Sequence, residues 1–76
     1  MKARVITQLQ KCHLIEKMFY YITYGSKEHD IFITKITKNA LGEVIEFVGD
    51  NEFKIPVGAE FFIGKMNDKK LKMQVI

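Results

Sequence analysis

The sequence predicts a mostly β protein of the α+β class, with one short N-terminal helix and five or six antiparallel strands that form a small barrel or curled sheet. Three observations predict this class. The first 24 residues contain no Gly, Pro, Asn or Asp. Turn residues then recur about every 8–10 residues, and several segments between the turns alternate apolar and polar side chains. With 76 residues, 47% of them hydrophobic, the chain is expected to form one domain over residues 1–76.

A helix is expected over about residues 8–17, after a short strand or extended arm at 3–6. A single strand as long as the turn-free N-terminal segment would span roughly 80 Å, which is too long for a small domain. Thr7 and Gln10 have the spacing of a capping box. Apolar side chains then recur at steps of three and four residues: Leu9, Cys12, Ile15 and Phe19.

The remainder of the chain has the composition of antiparallel strands. These strands are expected at 18–24, 30–37, 43–48, 52–57, 60–66 and 70–75, separated by turns at 25–26, 39–42, 49–51, 58 and 67–69. Pro56 has no N–H group, so its position should face a sheet edge or a bulge. Short connections predict that consecutive strands pair, with segments 18–24 and 70–76 at the edges of the sheet.

The predicted core follows from the apolar side of each element. Strand residues that alternate with polar neighbours should face one another inside the sheet, and the apolar stripe of the helix should cover them. The expected core residues are Val5, Leu9, Ile15, Phe19, Ile22, Ile31, Ile33, Ile45, Phe47, Phe53, Ile55, Phe61, Ile63, Leu71, Met73 and Val75.

Two resemblances accompany these elements. A short helix followed by bent strands resembles the architecture of the SH3-like and Sm-like small barrels. The segment 57–62, Val-Gly-Ala-Glu-Phe-Phe, together with Asn67-Asp68-Lys69, is similar to the last hairpin of the swapped-hairpin transcription factors. The second similarity covers only this hairpin.

The charge distribution argues against a protein that coats nucleic acid. The net charge of +3 is divided into +4 over residues 1–42, −4 over 43–60 and +3 over 61–76. An acidic segment thus interrupts any basic stripe. Eleven of the twelve basic residues are lysines, whereas specific base readout favours arginine. The Lys and Ile content is typical of an AT-rich genome, such as that of a low-GC bacterium or its phage.

No motif predicts catalysis, a cofactor or a metal site. His29 lies between two carboxylates, Glu28 and Asp30, but neighbouring strand residues point to opposite faces, so a solvated loop is the favoured interpretation. Cys12 and His13 are adjacent, which is poor geometry for one ion, and Cys12 is expected to pack as a small hydrophobic residue. The glycines match no phosphate-binding loop. An enzyme is therefore not expected.

The candidate binding residues are aromatics and lysines. Rings that stack with bases, interleaved with lysines that neutralise phosphates, are typical of single-stranded nucleic acid binding. Packing in the core, or charge protection of an edge strand, is the structural alternative. The candidates are Lys17, Tyr20, Tyr24, Lys27, Lys65, Lys69, Lys70 and Lys72.

Two functional hypotheses follow from the sequence. The first is a non-enzymatic regulatory or inhibitory module that binds another protein or itself, with a homodimer expected because no disulfide or metal supports the small core. The second is a small barrel that binds RNA or single-stranded DNA. A single cysteine, no export signal and no apolar run near 18 residues lead us to expect a cytoplasmic protein without a membrane partner.

Overall fold

The computed structural model describes residues 1–40, 42–50 and 53–76, and within them the chain forms six strands. The strands are β1 (Lys2–Gln8), β2 (Met18–Tyr24), β3 (Lys27–Asn39), β4 (Gly42–Gly49), β5 (Glu60–Lys65) and β6 (Asp68–Val75). They close into an antiparallel barrel in the order β1-β4-β3-β2-β5-β6. The predicted barrel is confirmed.

The predicted helix is wrong, because the described residues contain no helix and residues 9–17 form an irregular connection between β1 and β2. Backbone bonds to β6 replace the local bonds that a helix would make. The N–H groups of Leu9 and Gln10 both donate to the carbonyl oxygen of Lys70, at 2.8 and 3.0 Å. Thr7, the expected helix cap, lies within β1 and pairs with Lys72. The connection instead buries Leu14 against one end of the barrel.

The strand predicted at 52–57 is also absent from the described part of that segment, since residues 53–56 have no strand pairing. Local turns satisfy its backbone: Phe53 N–H donates to the Asp50 carbonyl, and Ala59 N–H donates to the Pro56 carbonyl, both at 3.1 Å. Leu41, Asn51 and Glu52, which fall in two predicted turns and at the start of this strand, lie outside the described residues.

The sequence analysis placed segments 18–24 and 70–76 at the edges of the sheet, but the sheet closes into a barrel. β6 pairs with β5 on one side and with β1 on the other. β2 pairs along its whole length with β3, but its pairing with β5 is confined to Ile22 with Ile63 and Thr23 with Phe62. Within the part of the chain that the structure describes, the first half of β2 therefore has a strand neighbour on one side only.

The interior of the barrel contains most of the expected core. Alternation places the inward side chains of β3–β6 together, and the buried hydrophobic residues are Ala3, Leu14, Ile22, Ile31, Ile33, Ile45, Phe47, Phe53, Ile55, Phe61, Ile63, Leu71, Met73 and Val75. Val5 packs against them at the margin.

Three residues expected in the core are exposed instead. Leu9 and Ile15 are 51% and 54% exposed, since the helix that would have buried them does not form. Phe19 is 72% exposed, because it alternates in β2 with Tyr20, which packs against the core, and so lies on the outer face. Among the residues that the structure describes, none belongs to a helix long and apolar enough to cross a bilayer.

Candidate functional site

An exposed row of apolar side chains crosses the outer surface of three neighbouring strands. Phe19 of β2 lies opposite Phe32 of β3, and Phe32 lies opposite Val48 of β4. We call these three residues the apolar row. The two rings are in contact, with centroids 4.8 Å apart. Phe19 is 72% and Val48 54% exposed, so the row presents hydrophobic surface directly to solvent.

Charges of opposite sign flank the apolar row along the strand direction. On one side lie the exposed carboxylates of Asp30 and Asp50. On the other side lie two exposed lysines, Lys17 in the turn before β2 and Lys35 beyond the bulge in β3, and the half-buried Glu46 of β4 lies opposite Lys35. A surface with carboxylates on one side and lysines on the other can orient a partner whose charges have the opposite order.

The sequence analysis missed the apolar row, although part of its signal was available. Ile31 and Ile33 alternate with Phe32, so a β-strand that buries the two isoleucines must direct the ring between them to the outer face. The same rule places Val48 outside once Phe47 is inside. Alternation within one strand does not give the register between strands. That register brings side chains from three separate segments into one row.

A cleft of about 310 Å³ lies where β2 separates from the β5–β6 hairpin. We call it the β2–β5 cleft. One wall is formed by Phe19, Tyr20 and Tyr21, and the opposite wall includes Lys65 and Lys70. Three of the candidate binding residues, Tyr20, Lys65 and Lys70, are thus brought together here.

The tyrosines of β2 do not present their rings in the way that the sequence analysis expected. Tyr20 and Tyr24 are half-buried and pack against the core. The Tyr20 hydroxyl accepts a hydrogen bond from the Ile15 N–H at 2.8 Å, which ties it to the β1–β2 connection. Tyr21 is the exposed ring, at 52%, and the Lys65 ammonium lies 4.5 Å from its centroid.

The candidate lysines of β6 have partners within the chain. The Lys69 ammonium lies over the Phe62 ring, 4.6 Å from its centroid. Lys72 Nζ lies 2.9 Å from a carboxylate oxygen of Glu60. Neither Lys69 nor Lys72 lines the β2–β5 cleft.

The two remaining candidates lie at opposite ends of β2. Lys27 is exposed at the start of β3, directly opposite Tyr24, beyond the two-residue turn at 25–26. Lys17 precedes β2 in a left-handed conformation with φ 58°. Its N–H donates to the Ile33 carbonyl at 2.6 Å, which anchors the turn to β3.

The Glu28-His29-Asp30 triplet is not assembled as an acid–base unit. His29 is half-buried with its ring 4.9 Å from that of Phe53, whereas a Glu28 carboxylate oxygen accepts the Met66 N–H at 2.7 Å. Cys12 is a partly exposed free thiol that lines the β2–β5 cleft. Within residues 1–40, 42–50 and 53–76, no three His, Cys, Asp or Glu side chains are grouped so that they could hold a metal ion.

The class defined by this geometry is a small six-stranded antiparallel barrel with an exposed apolar row and an adjacent cleft. No protein-family model matches the chain, no curated protein matches it, and no solved structure matches it.

Proposed function

We propose that this chain is a non-enzymatic protein-binding module, of a regulatory or inhibitory kind, that binds its partner through the apolar row. The observation that carries the proposal is that Phe19, Phe32 and Val48 lie side by side on the outer face of the barrel, with Phe19 and Val48 exposed and Phe32 half-buried between them. Scattered exposed apolar residues are ordinary, but a contiguous patch bordered by charges is typical of an interaction surface. Burial of one phenylalanine ring contributes roughly 1.5–3 kcal/mol, so the row can supply the centre of an interface.

A second copy of the chain is the partner that we propose for the apolar row, because two copies of one contiguous apolar surface can bury each other. In a symmetric dimer the same surface contacts itself. A two-fold axis along the apolar row would stack the rows of the two copies. It would also place Asp30 of one copy against Lys35 of the other at two symmetry-related positions, whereas Asp50 of one copy would face Glu46 of the other.

We expect the protein to sediment at twice the 8.9 kDa mass of one chain at micromolar concentration. Phe19→Thr should shift it to the monomer, because the substitution removes an exposed ring of the row and keeps a residue that favours strands. Val57→Thr is the matched control: Val57 is 79% exposed but lies in the 57–58 turn, so this variant should remain dimeric. A wild-type monomer would exclude the second copy as partner.

If the wild-type protein sediments as a monomer, the proposed partner of the apolar row is a different protein. Capture from the source cell with wild type and with Phe32→Thr then tests the function itself. A partner that is retained by wild type and by Val57→Thr, but lost with Phe32→Thr, would support the proposal. Equal capture by all three proteins would refute the role of the apolar row.

Binding of RNA or single-stranded DNA is the alternative, and the grouping of Lys65 and Lys70 beside Tyr20 is the observation that favours it. Against it, the two carboxylates beside the row would repel phosphates, and Lys69 and Lys72 have partners within the chain. We expect a mixed-sequence single-stranded oligonucleotide to bind weakly at most. Tight binding that weakens steeply with salt would instead support the alternative.

A further inference from the structure

The β2–β5 cleft exists because the β5–β6 hairpin bends away from β2 at Gly64. The register of β5 with β6 shifts between Ile63 and Gly64, and Gly64 has φ +112°, which only glycine adopts readily. Beyond this bulge, pairing of β5 with β2 ends at Ile22. Residues 18–21 of β2 therefore have β3 on one side and, among the described residues, no paired strand on the other.

The hairpin between β2 and β3 determines which backbone groups face the open side. Its turn has two residues, Gly25 with φ +62° and Ser26, so Tyr24 and Lys27 form the closing hydrogen-bonded pair. Hydrogen-bonded pairs alternate along an antiparallel ladder, so Tyr20 bonds to β3 while Phe19 directs its N–H and C=O groups away from β3. An extended chain placed in the cleft can pair with these groups.

The charges in the β2–β5 cleft favour an acidic ligand. Lys65 and Lys70 both line it, together with one carboxylate, Asp68. That carboxylate already has two partners: Gln10 Nε2 donates to it at 2.8 Å, and Lys70 Nζ lies 3.9 Å from its second oxygen. The Lys65 ammonium lies at the rim over the Tyr21 ring, where an incoming carboxylate can reach it.

We propose that the β2–β5 cleft binds a short extended segment of another protein that carries an acidic side chain. The backbone of the segment pairs with Phe19 at the open side of β2, and its carboxylate contacts Lys65 and Lys70. Main-chain pairing combined with a side-chain pocket is an established mode of peptide recognition. The inference rests on the proposed protein-binding function, but it concerns the cleft, which shares only Phe19 with the apolar row.

The experiment begins with a displayed library of short random peptides, selected on the wild-type protein. We expect the selected peptides to share an acidic residue next to alternating apolar positions. Lys65→Glu should weaken a selected peptide at least about tenfold, because it reverses a charge at the contact. Lys54→Glu, at an exposed lysine that does not line the cleft, is the matched control and should leave the affinity unchanged.

Two further measurements do not depend on a variant of the protein. N-methylation of the peptide amide that pairs with Phe19 should abolish binding, whereas methylation of the next amide should have a much smaller effect. The bound peptide should also slow alkylation of Cys12, which lines the cleft. Failure to select an acidic peptide, or binding that is indifferent to both N-methylation and Lys65→Glu, would overturn the inference.

The outcome is separable from that of the proposed function. A protein that still loses its dimer with Phe19→Thr, or its captured partner with Phe32→Thr, while no acidic peptide binds the cleft, would refute this inference and leave the apolar row as the functional surface.

Discussion

Phe47→Ala is expected to leave the protein largely unfolded at room temperature. Phe47 is 1% exposed, and its ring lies 6.1 Å from that of Phe53 and 5.6 Å from that of Phe61. Removal of such a ring costs about 3–5 kcal/mol through lost burial and the cavity left behind. The whole stability of a domain this small is on the order of 5 kcal/mol. Urea or thermal unfolding followed by circular dichroism measures the effect.

Phe19→Ala is the matched control for this substitution, since it removes the same ring from the outside of the same barrel. Phe19 is 72% exposed and contacts Phe32 across the strand pair, so the expected loss is at most about 1 kcal/mol. The sequence analysis placed both rings in the core. Equal losses for the two variants would therefore contradict the outward orientation of Phe19 and, with it, the apolar row.

Gly64→Ala is expected to destabilise the barrel by about 3 kcal/mol or more, through backbone strain and a backbone collision together. Gly64 has φ +112°, and a Cβ atom at this position would collide with the carbonyl oxygen of Asp68 in the adjoining strand. Because the obstacle is main chain, it can move away only if the β5–β6 hairpin shifts. The midpoint of urea unfolding should fall accordingly.

Gly25→Ala separates the two contributions. Gly25 also has a positive φ, +62°, but nothing lies within 4 Å of the Cβ that alanine would add. Only the cost of the left-handed conformation applies there, about 1–2 kcal/mol. If Gly64→Ala is no more destabilising than Gly25→Ala, then the close packing of the bulge, which separates β5 from β2, is not as the structure has it.

The strands and most of the core were predictable because alternation is a local property. Leu71, Met73 and Val75 lie two residues apart and are all buried, as the period of a strand requires. Phe53 and Ile55 show the limit of this argument. Both are buried as predicted, yet their segment is irregular, because alternation reports which side chains face inward and not whether the backbone has a partner strand.

The helix could not be excluded by the same local argument. Spacings of three and four residues in 9–17 fit a helix, but the partners that decide the conformation lie elsewhere in the chain. Glu16 accepts the Ile36 N–H at 2.8 Å through its side chain, and the Lys70 carbonyl receives two N–H groups of the connection. Propensity is a weak prior, and contacts with β3 and β6 outweigh it in this segment.

The candidate site, like the fold, was predictable from the sequence only in part. The sequence by itself indicated that Tyr20, Lys65 and Lys70 are binding candidates, and alternation indicated which side chains of β3–β6 share a face, although it did not do so for β2. Only the tertiary structure decided that Phe19, Phe32 and Val48 form one row, because register between strands is set by contacts distant in sequence. It likewise decided that a bulge at Gly64 opens the cleft beside β2, since the space depends on how the barrel closes.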